Sequence, residues 1–304
     1  KVEFETSSEA LVNQCCIEGI NAVKHSVNRM HYVSWQRREN IPERIGSIIK
    51  DTRLKSSTEF RKFLRIVNMH GMALSNPIVE SQLINLWTCY ETITPSGLNK
   101  STIENVCRRF IPIIGISYIG RLMHDAYDHC ANVAPYKFWK ELSLTGDDVE
   151  AELEFFCALI LNKNNHDKMG KALTHLDRFP LLRFKIFLLS DRFSDPEKAI
   201  DEIEAHCERV KWQIRRLYRS RNQIVHSGYI PSFVEPLLEN GHDYFDQIFL
   251  VICELASGVQ GLKTFEQCFD FADISFSNYI SKLKNCTQID DTVATEMIWN
   301  HYYP

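Results

Sequence analysis

Apolar residues recur at intervals of three or four along almost the whole of this chain of 304 residues. A period of 3.6 residues places such side chains on one face of an α-helix, whereas a strand needs strict alternation, of which there is little here. Only 12 Gly and 10 Pro interrupt the pattern. The sequence therefore predicts an all-α fold.

The periodic segments and the caps between them predict a series of helices. We expect an N-terminal helical extension over residues 1–75, a central helical domain over 76–262 and a C-terminal helical tail over 263–304. Loops are predicted at 39–57 and 134–148, where Pro and Gly occur together. The predicted helices span roughly 7–33, 57–74, 77–93, 101–131, 147–162, 166–176, 180–191, 196–227, 241–261 and 265–284.

Composition excludes several classes of protein. The net charge of -4 indicates that any nucleic-acid surface must be a local basic patch. No run of 18 apolar residues predicts a membrane span, and the ten Cys without a CxxC pair fit buried thiols in a reducing cytoplasm. GxSxG, Walker-type and HExxH motifs are absent from the sequence, which gives no support to the corresponding hydrolases and nucleotide motors.

The segment 194–228 predicts one long helix. It opens with the capping sequence "SDPE" and closes at Gly228, a residue that commonly ends helices. Its apolar stripe keeps helical period except at Arg221. Because an unpaired buried charge is costly, Arg221 needs a partner or a wet cleft.

Charge along this helix is segregated, with acidic residues in its first half and basic residues in its second half. A solvated surface that complements the helix dipole explains such a pattern. A surface that follows a phosphate backbone explains it too, since Trp212 and Tyr218 lie among the basic residues. Charge alone favours the solvated surface.

The stretch "RSRNQIVHSG" resembles the signature helix of HEPN domains, an all-α family with many metal-independent ribonucleases. The matching residues are Arg221, Asn222 and His226. The same spacing separates Arg65 from His70, so the spacing alone is weak evidence. The upstream stretch "IVNMHGMALSNPIVESQLINLWTCYETI" is similar to a helix that precedes the motif in bacterial defence proteins of this family, including the Apea-like group. The resemblance spans roughly residues 60–262.

The resemblance implies a HEPN-like helical bundle with additional N-terminal and C-terminal helices. It also implies a metal-independent endoribonuclease of a bacterial antiphage defence or toxin system, without cofactors, which leaves a 2′,3′-cyclic phosphate and a 5′-hydroxyl. Arg221 and His226 are the expected catalytic residues, with Asn222 orienting the phosphate or the imidazole. We expect RNA to contact Arg215, Tyr218 and Arg219.

Arg221 and His226 are too far apart around an ideal helix to act together. Five residues separate side chains by about 140° and about 7.5 Å of rise. Either the helix ends near Val225, so that His226 turns inward, or a second protomer supplies half of the site. The resemblance implies the second arrangement, so we expect a homodimer. Because the chain starts at Lys1 rather than Met, we also expect a further domain of the same polypeptide.

Glu91 lies beside an apolar stripe of the predicted helix 77–93. A carboxylate in that position is either partly exposed or paired with a cation. We expect it to hold the Arg221 guanidinium in place. A structural pair without any role in catalysis is equally compatible with the pattern.

Other residues permit different hypotheses. "MHDAYDHC" places His124, Asp125, Asp128 and His129 at metal-ligand spacing. A metal site of this kind needs further His and Asp ligands on other helices, and the candidates "NHD" and "GHD" fall in predicted loops or caps. An ordinary polar helix face is therefore favoured. His70 is predicted to be a hydrogen-bonded core histidine.

An alternative to the nuclease is a non-catalytic HEPN-like module for dimerisation or RNA binding, because retained motif residues do not prove activity.

Overall fold

The structure is a computed structural model that describes residues 2–5, 9–13, 20–24, 54, 56–96, 101–144, 149–258 and 261–299. Within these residues, every regular element from residue 57 onward is helical, which confirms the all-α fold class. The helices are α1 Ser57–Ser75, α2 Val79–Ile93, α3 Thr102–Val133, α4 Tyr136–Leu142, α5 Val149–Leu161, α6 His166–Leu173, α7 Pro180–Phe193, α8 Pro196–Ser227, α9 Val234–Ser257, α10 Phe265–Asn285 and α11 Asp291–Trp299.

A small antiparallel sheet precedes the helices. Its strands β1 Val2–Glu5, β2 Glu9–Asn13 and β3 Ile20–Lys24 pair in chain order. The predicted helix over 7–33, and with it a purely helical N-terminal extension, is therefore wrong where β2 and β3 lie. Short apolar runs such as "ALV" fit a strand as well as a helix, and periodicity alone does not separate them. The remainder of that prediction, residues 7–8, 14–19 and 25–33, lies outside the described residues.

Several boundaries differ from the predicted ones. The helix α4 forms inside the predicted loop 134–148, and α9 begins at Val234 rather than at residue 241. In α9, Gly241 is a helical residue, although "NG" is a typical turn signal. A Cβ at residue 241 would lie 2.9 Å from side-chain atoms of both Leu217 and Leu86. Glycine is therefore favoured here by the close approach of the neighbouring helices rather than by a turn.

Two compact units make up the chain. The first contains residues 1–110 and 210–269, and the second contains residues 111–209 and 270–304. The helices α3, α8 and α10 each cross the division, so neither unit is one continuous stretch. The predicted domain boundaries after residues 75 and 262 do not coincide with this division and remain predictions.

Each unit has its own apolar core. In the first unit, Trp87, Tyr90, Phe110, Phe245 and Phe269 are almost fully buried. In the second, a cluster is built on buried residues of α3 to α8, α10 and α11, including Ile119, Met123, Phe138, Phe156 and Phe193.

The described cysteines contain no disulfide, and seven of them are buried, namely Cys89, Cys107, Cys130, Cys157, Cys207, Cys253 and Cys268. Burial raises the pKa of the Cys89 thiol to about 12. The prediction of buried thiols is thus confirmed for these positions. Across the described helices, none combines the length and the apolar character that crossing a bilayer requires.

Candidate functional site

The candidate site lies on the last turns of α8, in the first unit. This helix spans residues 196–227, as the sequence predicts. At its start, the Asp195 carboxylate accepts hydrogen bonds from the backbone N–H groups of Glu197 and Lys198. At its end, Gly228 adopts a left-handed φ of 65°, and its N–H donates to the carbonyl of Ile224. These caps fix where the helix stops and so where His226 lies.

The predicted apolar stripe of α8 is buried along its length. Its members are at most 9% exposed: Ile200, Ile203, Cys207, Val210, Ile214, Leu217 and Ile224. Arg221 occupies the remaining position of this stripe and is partly buried. The backbone therefore holds a permanent cation at the edge of an apolar core, where a bare charge is unfavourable.

The Arg221 guanidinium is held by its neighbour in the chain. Its Nη1 donates a 3.0 Å hydrogen bond to Oδ1 of Asn222. Its Nε is buried and has no hydrogen-bond partner within the described part of the chain. No carboxylate among the described side chains forms an ion pair with it. The group is thus oriented but electrostatically uncompensated, a state that calls for an explanation.

The expected pair between Glu91 and Arg221 is absent from the described residues. Glu91 is exposed and instead accepts a 2.7 Å hydrogen bond from the indole Nε1 of Trp87, one helical turn earlier in α2. The Trp87 ring in turn packs against Tyr218 of α8, with 5.1 Å between ring centroids. The prediction failed because Trp87, four residues before Glu91 on the same helix, donates its indole N–H to the carboxylate. Glu91 therefore supports α8 through Trp87 rather than through Arg221.

The three predicted RNA-contacting residues have different surroundings. Tyr218 is half-buried against Trp87. Arg215 is 39% exposed and forms a 3.2 Å ion pair with Glu104 of α3. Arg219 is exposed and forms no hydrogen bond or ion pair with the described residues. Of the three, only Arg219 presents a free cation to solvent.

His226 is exposed on the last turn of α8, with no hydrogen-bond partner in the described part of the molecule. The helix continues through it to Ser227, so the alternative in which the helix ends near Val225 and His226 turns inward is wrong. Arg221 and His226 consequently keep the helical offset of about 140°. One protomer does not bring the two side chains to a common face.

Sequence reasoning missed two residues beside this site. The guanidinium carbon of Arg216 lies 4.2 Å from the ring centroid of Phe233 and 5.6 Å from that of Trp212. The i,i+4 spacing of Trp212 and Arg216 was a readable signal for part of this contact. Phe233 lies beyond the turn after Gly228, and its return to α8 has no local sequence signature.

A polar cluster also lies in the first unit, between α1 and α9. His70 Nε2 is 3.2 Å from His242 Nδ1 and 3.5 Å from a carboxylate oxygen of Asp246. Burial lowers the pKa of His70 to about 4. The prediction of a hydrogen-bonded core histidine at position 70 is confirmed. The prediction that "GHD" lies in a loop or cap is wrong, because His242 and Asp243 are inside α9.

The second unit contains the potential metal-binding sequence "MHDAYDHC" on α3. Lys185 of α7 forms an ion pair with the Asp125 carboxylate and lies 3.1 Å from Nδ1 of His129. A cation thus occupies the place between them. Among the side chains that the structure describes, no group of three or more His, Cys, Asp or Glu has an arrangement that could hold a metal ion.

Comparison of the chain with protein-family models, with curated proteins and with solved structures found no match.

Proposed function

We propose that this protein is a metal-independent endoribonuclease, in which Arg221 and Asn222 of one protomer work with His226 of a second protomer. The observation that carries the proposal is the state of Arg221: a partly buried guanidinium, oriented by Asn222, with no carboxylate to neutralise it in the described residues. A phosphate matches such a fork of donors in both charge and shape.

The chemistry follows from the groups available. His226 takes the proton of a ribose 2′-OH, and the 2′ oxygen attacks the adjacent phosphorus. Arg221 stabilises the negative charge that grows on the phosphoryl oxygens. The bond from phosphorus to the 5′ oxygen breaks, leaving a 2′,3′-cyclic phosphate and, after protonation of the leaving oxygen, a 5′-hydroxyl. No metal ion or cofactor is needed for these steps.

The homodimer is part of the proposal because helical geometry separates Arg221 from His226 within one chain. Apolar side chains near the end of α8 support a partner surface there. Val225, Tyr229 and Ile230 are 47%, 60% and 44% exposed. A two-fold partner would cover them and bring each His226 toward the Arg221 of the other protomer.

The biological setting is proposed from the resemblance to HEPN domains of bacterial defence proteins. We place the activity in the cytoplasm, as a toxin or an antiphage effector. The buried, unpaired cysteines are compatible with a reducing compartment.

Cleavage of RNA in excess chelator tests the proposal. The purified protein should cut RNA and leave 2′,3′-cyclic phosphate ends, and His226→Ala should lower the rate by about 10²-fold to 10⁴-fold. The matched control is His175→Ala, because His175 is a partly exposed histidine in a short 3-10 turn of the second unit. Cleavage that persists in His226→Ala would refute the proposal. Binding of RNA without cleavage would favour the non-catalytic RNA-binding module.

A further inference from the structure

Arg216 is a partly buried arginine held between aromatic rings. Its guanidinium contacts two aromatic rings, those of Trp212 and Phe233. It forms no hydrogen bond or ion pair with the side chains or backbone that the structure describes. The rings therefore hold the cation in position while its N–H donors remain available to a ligand.

Both rings are accessible. Trp212 is 61% exposed and Phe233 is 41% exposed. Large aromatic side chains are usually buried, so two exposed rings around one arginine indicate a binding surface rather than a core. A flat, partly apolar ligand that carries negative charge fits both the rings and the donors.

The same face of α8 leads to His226. Successive spacings of four and three residues place one set of side chains within about 80° of arc over about 21 Å of helix. All of them are exposed or half-buried, and none is acidic: Trp212, Arg216, Arg219, Gln223 and His226. Arg219 adds a second cation without a partner among the described residues.

We infer that Trp212, Arg216 and Phe233 form a binding site for an unpaired base of the RNA substrate, about 21 Å along α8 from His226. The base stacks on the exposed indole, the adjoining phosphate meets the free donors of Arg216, and the next phosphate meets Arg219. This inference rests on the proposed function for the identity of the ligand. It makes single-stranded RNA the preferred substrate, because bases inside a duplex cannot stack on a side chain.

The experiment measures binding separately from cleavage. A fluorescent single-stranded oligonucleotide with 2′-O-methyl groups cannot be cleaved by 2′-OH attack, and its anisotropy in chelator reports affinity. Trp212→Ala should weaken binding about tenfold to a hundredfold, and Trp212→Phe should restore most of it. Phe184→Ala is the matched control, since Phe184 is 57% exposed in the second unit. A duplex of the same sequence should bind more weakly, and Trp212→Ala should leave its affinity unchanged.

Failure of this inference is distinguishable from failure of the proposed function. If unmodified RNA is cut in a His226-dependent way while Trp212→Ala binds the oligonucleotide as tightly as wild type, the base site is refuted and the nuclease stands. If binding depends on Trp212 but no RNA is cut, the nuclease is refuted and the base site stands. No measurable binding of either oligonucleotide, or tighter binding of the duplex, refutes the base site. Thermal unfolding of each variant checks that it is folded.

Discussion

The Nη1 atom of Arg221 donates a 3.0 Å hydrogen bond to Oδ1 of Asn222, the next residue in the chain. Adjacent residues of a helix point about 100° apart, and the long arginine side chain spans that separation. The bond fixes one edge of the guanidinium, and its Nη2 group forms no hydrogen bond with the described residues. Asn222 is therefore a positioning residue for Arg221.

Arg221→Lys should lower the rate of RNA cleavage by about 10²-fold, because an ammonium group lacks the planar fork that binds two phosphate oxygens. Asn222→Ala should cost less, about tenfold, since the guanidinium remains but its orientation is lost. Single-turnover cleavage measures both. Arg178→Lys, at an exposed position of the second unit, is the control. Full activity in Arg221→Lys would mean that the residue contributes charge alone.

Glu91→Gln tests the observed role of Glu91. A glutamine carbonyl can still accept the hydrogen bond from Trp87 Nε1, so we expect stability within about 1 kcal/mol of wild type and unchanged cleavage. Urea unfolding followed by circular dichroism measures the stability, and RNA cleavage in excess chelator measures the activity. A large loss of activity would instead support an ion pair between Glu91 and Arg221 in the active state.

Gly241→Ala should destabilise the protein by about 1 to 3 kcal/mol, because the added methyl group would overlap Leu217 and Leu86. Gly71→Ala is the matched control. Gly71 lies in α1 of the same unit with no atom within 4 Å of an added Cβ, so alanine there should stabilise by about 0.5 to 1 kcal/mol. If the free energy of unfolding, measured in urea, falls for Gly241→Ala and rises for Gly71→Ala, the close packing of α9 is confirmed. Changes of the same sign in both variants would contradict it.

How far the sequence predicted this structure depended on the kind of contact. The helix α8, its caps and its buried stripe were predicted because periodicity and end signals are local. The partner of Glu91 was not predicted, because the sequence offers both an indole four residues earlier on the same helix and Arg221 on another helix, and only the structure distinguishes them. Phe233 reaches Arg216 only after the chain reverses at Gly228. The strands near the N-terminus have apolar runs too short to distinguish from a helix.

Stability should fall as the pH is lowered from about 6.5 to about 4, in part because of His70. Burial lowers the pKa of folded His70 to about 4, below its unfolded value, so the folded state binds fewer protons in this range. The contribution is complete above pH 6.5 and is lost as the pH falls toward 4. Urea unfolding across this range should show a shallower pH dependence for His70→Gln. An unchanged dependence on pH would contradict the assignment to His70. His206, whose pKa is also about 4, contributes equally in wild type and in the variant.

Mixing two inactive variants tests the composite site most directly. Arg221→Ala and His226→Ala should each be inactive alone, but co-expressed chains should regain about one quarter of wild-type cleavage, because half of the dimers carry one intact site out of two. The control is co-expression of His226→Ala with an Asn222→Ala, His226→Ala double variant, which leaves no intact site in any dimer. Recovery in the first mixture and none in the second is the predicted result. No recovery in the first mixture, with heterodimers demonstrated by differently tagged chains, would contradict a site shared between protomers.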